Sequence, residues 1–210
     1  MENKETVLVT GGSGFIGSHC IIQLAAAGYN VKATVRDLSR TNKLNQILLT
    51  GLEKHERKSD LSVDWQVANL SSDEGWDEAV KGCDYVLHVA SPIGMELPKN
   101  EDEMVKPAVE GTLRVLKAAS KAGVKRVVIT SSVAAIMYGT DKQGVFNEED
   151  WTDPKSRTTN VYAKSKTLAE QAAWDFIKKD TTGMELSTVL PAMVFGPILE
   201  EDFGVSVGAI

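Results

Sequence analysis

Val7-Leu8-Val9-Thr10-Gly11-Gly12-Ser13-Gly14-Phe15-Ile16-Gly17 decides how the rest of the chain is read. Residues 7–10 form an apolar run of the length of a buried strand. Glycines follow at 11, 14 and 17. Residues 15–27 then carry a helical pattern, which Gly28 ends at a position suited to a left-handed residue. Strand, glycine turn and helix in that order make an anion site. Gly11 permits the tight turn out of the strand, Gly14 lets backbone approach a pyrophosphate, and Gly17 lets the helix pack close to the sheet. The helix N-terminus offers unpaired N–H groups and a positive dipole end to phosphates. A glycine triplet in isolation is a flexible loop. Between a strand and an apolar helix it is a dinucleotide-binding turn.

Outward from this unit, the chain alternates short β-rich runs with longer helical patterns. Strands are expected at 31–35, 63–67, 85–90, 127–131 and 186–190. Leu44, Ile47 and Leu48 mark an amphipathic helix, and residues 51–60, charged and pattern-breaking, read as a surface loop. A short helix is expected at 73–80. Val105, Val109, Leu113 and Leu116 recur at helical spacing, with Pro107 near the front, where its missing N–H costs least. Residues 136–158 form a long polar connection held against the rest by Phe146 and Trp151, and a helix follows at 161–178. Strands that are apolar throughout, alternating with helices, imply a parallel sheet covered on both faces. Right-handed crossovers make that an α/β doubly wound Rossmann sheet, which binds ligands at the carboxyl ends of its strands.

Bulk composition sets limits. The 210 residues are 42% hydrophobic and 25% charged, as in an ordinary globular domain. The net charge of -6 disfavours a nucleic-acid partner and an anionic membrane surface. Cys20 and Cys83 fit neither a disulfide framework nor a metal site and read as buried thiols of a reducing cytoplasm. No signal peptide or membrane-spanning run is recognisable.

Two further segments carry chemistry. The second strand ends in Val35-Arg36-Asp37, with Arg36 placed 19 residues past Gly17. An acidic residue there holds the ribose 2′-hydroxyl of NAD, whereas a guanidinium suits the 2′-phosphate of NADP. Asp37 argues for NAD if it points inward. Arg36, Arg40 and Lys43 cluster as cations and favour NADP. Tyr162 and Lys166 lie at i, i+4, on one face of a helix. An ammonium beside a phenol stabilises the phenolate, so such a tyrosine can give a proton to a carbonyl oxygen or take one from an alcohol. Thr130-Ser131-Ser132 brings hydroxyls to the carboxyl end of the fifth strand, where one can orient the same oxygen. Alone, YxxxK reads as an exposed surface pair and the serines as a helix cap. With the glycine turn, coincidence is a poor explanation.

The combination of TGGSGFIG, HVASP (88–92), TSSVAA (130–135), YAKSK (162–166) and LPAMVFGP (190–197) resembles the extended short-chain dehydrogenase/reductases. Within them it is similar to the branch of dihydroflavonol 4-reductase, cinnamoyl-CoA reductase and the yeast methylglyoxal/aldehyde reductases. The resemblance implies that Gly11, Gly12, Ser13, Gly14, Phe15, Ile16 and Gly17 form the phosphate loop. It assigns the 2′-phosphate to Arg36, with Arg40 or Lys43 as helper. Val89, Ala90 and Ser91 match the backbone that lines the cofactor, and Pro191 to Val194 the segment beside the nicotinamide. Ser132 matches the catalytic serine and Tyr162 the proton donor. Lys166 matches the partner of that tyrosine, which also holds the nicotinamide ribose. Asn69-Leu70 stands where the family has an acidic residue near the adenine; an amide can still bond the adenine amino group. Members of the branch are longer, so the C-terminal substrate-binding part expected of them is largely missing from these residues.

These residues lead to one expectation: an NADPH-dependent reductase of a small-molecule aldehyde or ketone, with residues 1–210 as its NADP-binding domain. The alternatives are an NAD-dependent nucleotide-sugar epimerase or dehydratase, and an NADP-binding protein without turnover. The resemblance allows a homodimer through helices 105–121 and 161–178. His19 and His55 read as structural or solvated, and His88 as packing near the cofactor. Met95, Met137 and Met193 read equally as pocket or core, and Trp151 and Trp174 as packing residues.

Overall fold

The computed structural model describes residues 4–54, 61–92, 98 and 100–199. Its strands are β1 (Thr6–Thr10), β2 (Asn30–Val35), β3 (Val63–Val67), β4 (Tyr85–His88), β5 (Arg126–Thr130) and β6 (Glu185–Val189). They form one sheet in the order β3-β2-β1-β4-β5-β6, and every neighbouring pair is parallel. The winding reverses between β1 and β4, so the crevice of this fold opens at their carboxyl ends. Helices α1 (Phe15–Ala27) and α2 (Thr41–Lys54) connect the first three strands. Helices α3 (Trp76–Val80), α4 (Asp102–Ala122) and α5 (Val161–Ile177) connect the rest.

Adjacent strand residues point to opposite faces, which is why continuous apolar runs are needed here. Leu8 packs in one core with Trp76 and Val80 of α3 and Val115 and Leu116 of α4. Val9, its neighbour, packs in the other with Ile21 and Ile22 of α1 and Leu48 and Leu52 of α2. The two cores are the two covered faces of the doubly wound sheet. Among the described residues, no helix is long and apolar enough to cross a membrane.

Four boundaries differ from the expectation by more than one residue, each for a local reason. α2 runs on to Lys54, where a loop from residue 51 was expected. Leu44, Leu48 and Leu52 continue one buried stripe, and Gly51 is buried against the Ile22 side chain, so the glycine serves close packing of α2 on α1. Residues 55–60, His55 among them, lie outside the described residues, as does Met95. α3 begins only at Trp76, because Gly75 takes a left-handed φ of 84° at its N-cap. α4 begins at Asp102, so Pro107 falls in its second turn. β4 ends at His88, and the Ala90 N–H turns to the Thr10 side chain instead of a ladder partner.

Of the apolar stripe on α4, only Leu116 is buried within the chain. Ala108, Val115, Leu116, Ala118 and Ala119 of α4 are buried, and α4 packs on α5, whereas Val105, Val109 and Leu113 are only half-buried. The connection between β5 and α5 is folded as expected. Thr152 is buried; its N–H donates to the Ala135 carbonyl at 2.8 Å and its hydroxyl to the Ala134 carbonyl at 2.8 Å. Phe146 sits under the Lys142 ammonium, 5.3 Å from the ring centroid, while Trp151 is 37% exposed.

Candidate active site

The turn after β1 is anchored on β2. The Gly11 N–H donates to the Thr34 hydroxyl at 3.1 Å and the Gly12 N–H to the Thr34 carbonyl at 3.0 Å. Gly11 has φ 69°, in the left-handed region that glycine favours. A Cβ on Gly17 would collide with the Gly11 carbonyl, so only glycine lets α1 sit this close to the turn. No side chain caps α1 at Gly14 and no acidic residue stands in its first turn. Ser13 and Gly14 are exposed. The cradle therefore fits a pyrophosphate: bare glycine backbone, an uncapped helix end and no competing negative charge.

At the end of β2, Arg36, Asp37 and Arg40 are all exposed. Asp37 is not a free carboxylate. It caps the short 3-10 turn Leu38–Arg40, accepting from the Ser39 N–H at 2.9 Å and from the Ser39 hydroxyl at 2.5 Å. Those bonds hold its carboxyl below the usual aspartate range. Lys43 follows on the first turn of α2 and is exposed.

At the end of β3, the Asn69 side-chain oxygen accepts from the Ser71 N–H at 3.0 Å, which leaves its amide N–H groups facing solvent. Leu70 is a packing residue. Its side chain lies against Gly111 of α4 and its carbonyl accepts from Arg114 at 2.9 Å. Ala90 sits against Gly11, Val89 packs on the α1 side of the sheet, and Ser91 lines a small cavity below the site.

The hydroxyl, phenol and ammonium groups are carried by the turn after β5 and the first turns of α5. Ser132 is buried and caps the 3-10 turn Val133–Ala135, its oxygen accepting from the Ala134 N–H at 3.1 Å. That bond uses a lone pair and leaves the hydroxyl proton available. Its neighbour Ser131 is turned the other way and donates to the buried carboxylate of Glu170. α5 packs against the turn that Ser132 begins. Asn160 caps α5, accepting from the Ala163 N–H at 2.8 Å, so Tyr162 stands in the first turn and Lys166 one turn deeper. Tyr162 is half-buried and Lys166 is 9% exposed. The Lys166 ammonium donates to the Thr130 carbonyl at 3.4 Å. Burial pushes it down to about 8, and Glu170 acts in the opposite direction.

Two residues matter here that spacing alone did not expose. His88 is buried beneath the crevice with Nδ1 2.8 Å from the Thr10 hydroxyl. Burial, and then the Lys166 charge, push its imidazole down to about 3, so it stays neutral. His19 reaches the carbonyl of Pro197 at 3.0 Å. That contact pins the segment after β6, which runs back from Pro191, bonded to the Val133 N–H at 3.0 Å, to α1. Gly196 lies by the Phe15 ring, and Leu199 lies by Ile22 and Gly51. Residues 191–199 thus span the carboxyl edge of the sheet, with Val194 half-buried and Met193 exposed, as is Met137.

Comparison with known proteins agrees with this geometry. Dihydroflavonol 4-reductase of Arabidopsis thaliana is 40% identical over 205 residues, which is 95% of this chain and 52% of that protein. The chain spans about half the length of the curated relatives it matches. Among solved structures, a yeast methylglyoxal/isovaleraldehyde reductase complexed with NADPH superposes with a TM-score of 0.76 and 31% identity. The match covers 91% of this chain and 59% of that one. Vestitone reductase from alfalfa gives 0.77 and 32%, over 97% of this chain and 62% of its own. A family model described as the NAD dependent epimerase/dehydratase family matches residues 7–206. With a parallel sheet reversed between β1 and β4, a bare glycine turn and a Ser-Tyr-Lys edge, the chain belongs to that family, the extended short-chain dehydrogenase/reductases.

Proposed function

We propose that the chain is the cofactor-binding part of an NADPH-dependent reductase that converts an aldehyde or ketone to an alcohol. One observation carries this reading: Ser132, in the turn after β5, and Tyr162 and Lys166, in the first turns of the helix packed on that turn, stand at the same sheet edge as the glycine turn, and Ser132 keeps its hydroxyl proton. Gly11 to Gly17 and the α1 N-terminus would hold the pyrophosphate. Arg36, with Arg40 or Lys43, would hold a 2′-phosphate. The capping role of Asp37 supports NADP over NAD, because both of its oxygens already accept from Ser39. Val89, Ala90, Ser91, Pro191 and Val194 would line the remainder, with Asn69 at the adenine. NADPH, when bound, supplies the hydride for the carbonyl carbon.

The chain's own residues supply the rest. The Ser132 hydroxyl donates to the carbonyl oxygen and orients it. The Tyr162 hydroxyl gives that oxygen its proton. The Lys166 ammonium, one turn along α5, stabilises the phenolate left behind. The names of the relatives support a carbonyl substrate.

The test is titration of the purified chain with NADPH and NADH, then an aldehyde and ketone panel with wild type and Tyr162→Phe. Tighter NADPH binding, with kcat down by about 10²–10⁴-fold in the variant, is expected. Preference for NADH overturns the NADP assignment and brings the epimerase chemistry forward. NADPH binding without turnover in either protein overturns the reductase reading for this chain.

A further inference from the structure

We propose that Glu170 is a positioning residue for the Tyr162–Lys166 pair: its buried carboxylate, held by Ser131 and Trp174, is the counter-charge that keeps Lys166 an ammonium. This rests on the roles given to Tyr162 and Lys166 above.

Tyr162, Lys166, Glu170 and Trp174 follow one another at four-residue spacing, so they form a row along one face of α5. Lys166 is 9% exposed and Glu170 5%. Two charges buried this deeply are stable only when each sees the other or is fully hydrogen-bonded. Both line the same small cavity under the crevice, of about 20 Å³, the size of one water molecule.

The groups facing Lys166 come from every element around that cavity. Glu170 shares its helix. His88 approaches from β4 and is neutral. The Thr130 carbonyl and the Ser131 hydroxyl come from the end of β5, and Thr112 from α4. Among the described residues lining the cavity, Glu170 carries the only negative charge.

Glu170 is held from two sides. One carboxylate oxygen accepts from the Ser131 hydroxyl and the other from the Trp174 indole N–H at 3.3 Å. The charge therefore cannot swing away to solvent. Ser131 adjoins Ser132, so the same bond ties α5 to the strand end that carries the substrate-orienting hydroxyl. A carboxylate that merely stapled helix to strand could be replaced by any group of like shape and hydrogen-bonding capacity. A counter-charge could not.

Glu170→Gln separates the two roles, because the amide keeps a donor and an acceptor for Ser131 and Trp174 but carries no charge. The direct readout is the titration of Lys166 in the resting chain, followed by its side-chain 13Cε resonance and assigned by the loss of that resonance in Lys166→Arg. In Glu170→Gln the midpoint falls by about one pH unit or more, a tenfold loss of proton affinity. Ser131→Ala, which keeps the charge, moves it by less. A folded Glu170→Gln with the wild-type midpoint overturns the proposal. Glu170→Met, which removes the charge along with its desolvation cost, is the second variant, and the same fall is expected. If neither charge-free variant folds, Glu170 is a structural residue and the proposal fails.

Where turnover is measurable, the alkaline limb of kcat moves to lower pH by the same amount, while KM for NADPH stays within about threefold. The titration needs no turnover. A chain that reduces no carbonyl yet shows the shift sinks the reductase reading and leaves the Lys166–Glu170 coupling standing.

Discussion

Ser131 and Ser132 are adjacent in sequence yet make opposite bonds, and that difference assigns their chemistry. Ser131 spends its proton on Glu170, 39 residues further on. Ser132 accepts from the Ala134 N–H and keeps its proton. Ser132→Ala should therefore lower kcat by about 10²–10³-fold with little change in NADPH affinity, the signature of a donor used on the reacting oxygen. Steady-state kinetics and a binding titration check both halves; unchanged kcat removes Ser132 from the mechanism. Arg36 is argued in the same way. A charge-assisted hydrogen bond is worth about 1.5–3 kcal/mol, so Arg36→Ala should weaken NADPH by about 10–100-fold and leave NADH almost unchanged. An equal loss for both cofactors would mean that Arg36 does not touch the 2′-phosphate. The residues legible beforehand were those with short-range spacing: the glycine triplet, YxxxK, and the cations after β2. The partner of Ser131, the inward bonds of His88 and the packing role of Leu70 were not, because each depends on a contact across strands or helices. Asp37 was ambiguous for a related reason. Which way a side chain points at a strand end is decided by the turn that follows, here by Ser39.

Elements were legible where one physical pattern dominates. The inner strands β1, β4 and β5 have apolar residues on both faces because helices cover both, the edge strands β3 and β6 are more polar, and each strand was placed to within a residue or two. The exceptions are ends where a turn residue competes with periodicity. Gly51 looked like a helix breaker but is a contact surface, since a buried glycine lets α2 approach Ile22 of α1. Gly75 does break the chain, with a positive φ, and delays α3. Asn160 starts α5, and its cap sits two residues before Tyr162. Loss of a cap costs about 1 kcal/mol, so Asn160→Ala should lower unfolding stability by that amount in urea, while Asn160→Ser or Asn160→Asp restores most of it. Fraying of this particular turn also releases the phenol. The alanine variant should therefore lose kcat at a temperature where it is still fully folded. A stability loss with kcat untouched would show that packing on the Val133–Ala135 turn, and not the cap, fixes Tyr162.

Over the whole molecule, the sheet imposes a condition on pH that no single element reveals. His88 lies at the meeting of β1, β4 and the cavity, fully desolvated and beside a cation, and is pushed down to about 3 from 6.5. A depressed pKa in the folded state means that the unfolded chain takes up a proton first as pH falls. Stability is therefore intact above pH 6.5 and is lost progressively toward pH 3. The carboxylates held low by hydrogen bonds, Asp37, Asp84, Asp150 and Asp180, act in the same direction but only as pH falls through their ordinary value of 3.8. Lys166 is shifted at the other end of the scale, down to about 8, above the interval in which His88 titrates. The interval from pH 6.5 to 4.5 thus isolates His88, and linkage gives a loss of roughly 2–3 kcal/mol across it. Urea unfolding at half-unit steps measures that slope. His88→Asn keeps a hydrogen-bonding group for Thr10 and cannot titrate, so its stability should be nearly flat over the same interval, whatever its absolute value. A variant as steep as wild type would place the acid sensitivity elsewhere and would mean that His88 is solvated and charged in the folded chain. It would then stand as a second cation beside Lys166, and the electrostatics of the site would have to be redrawn from that pair.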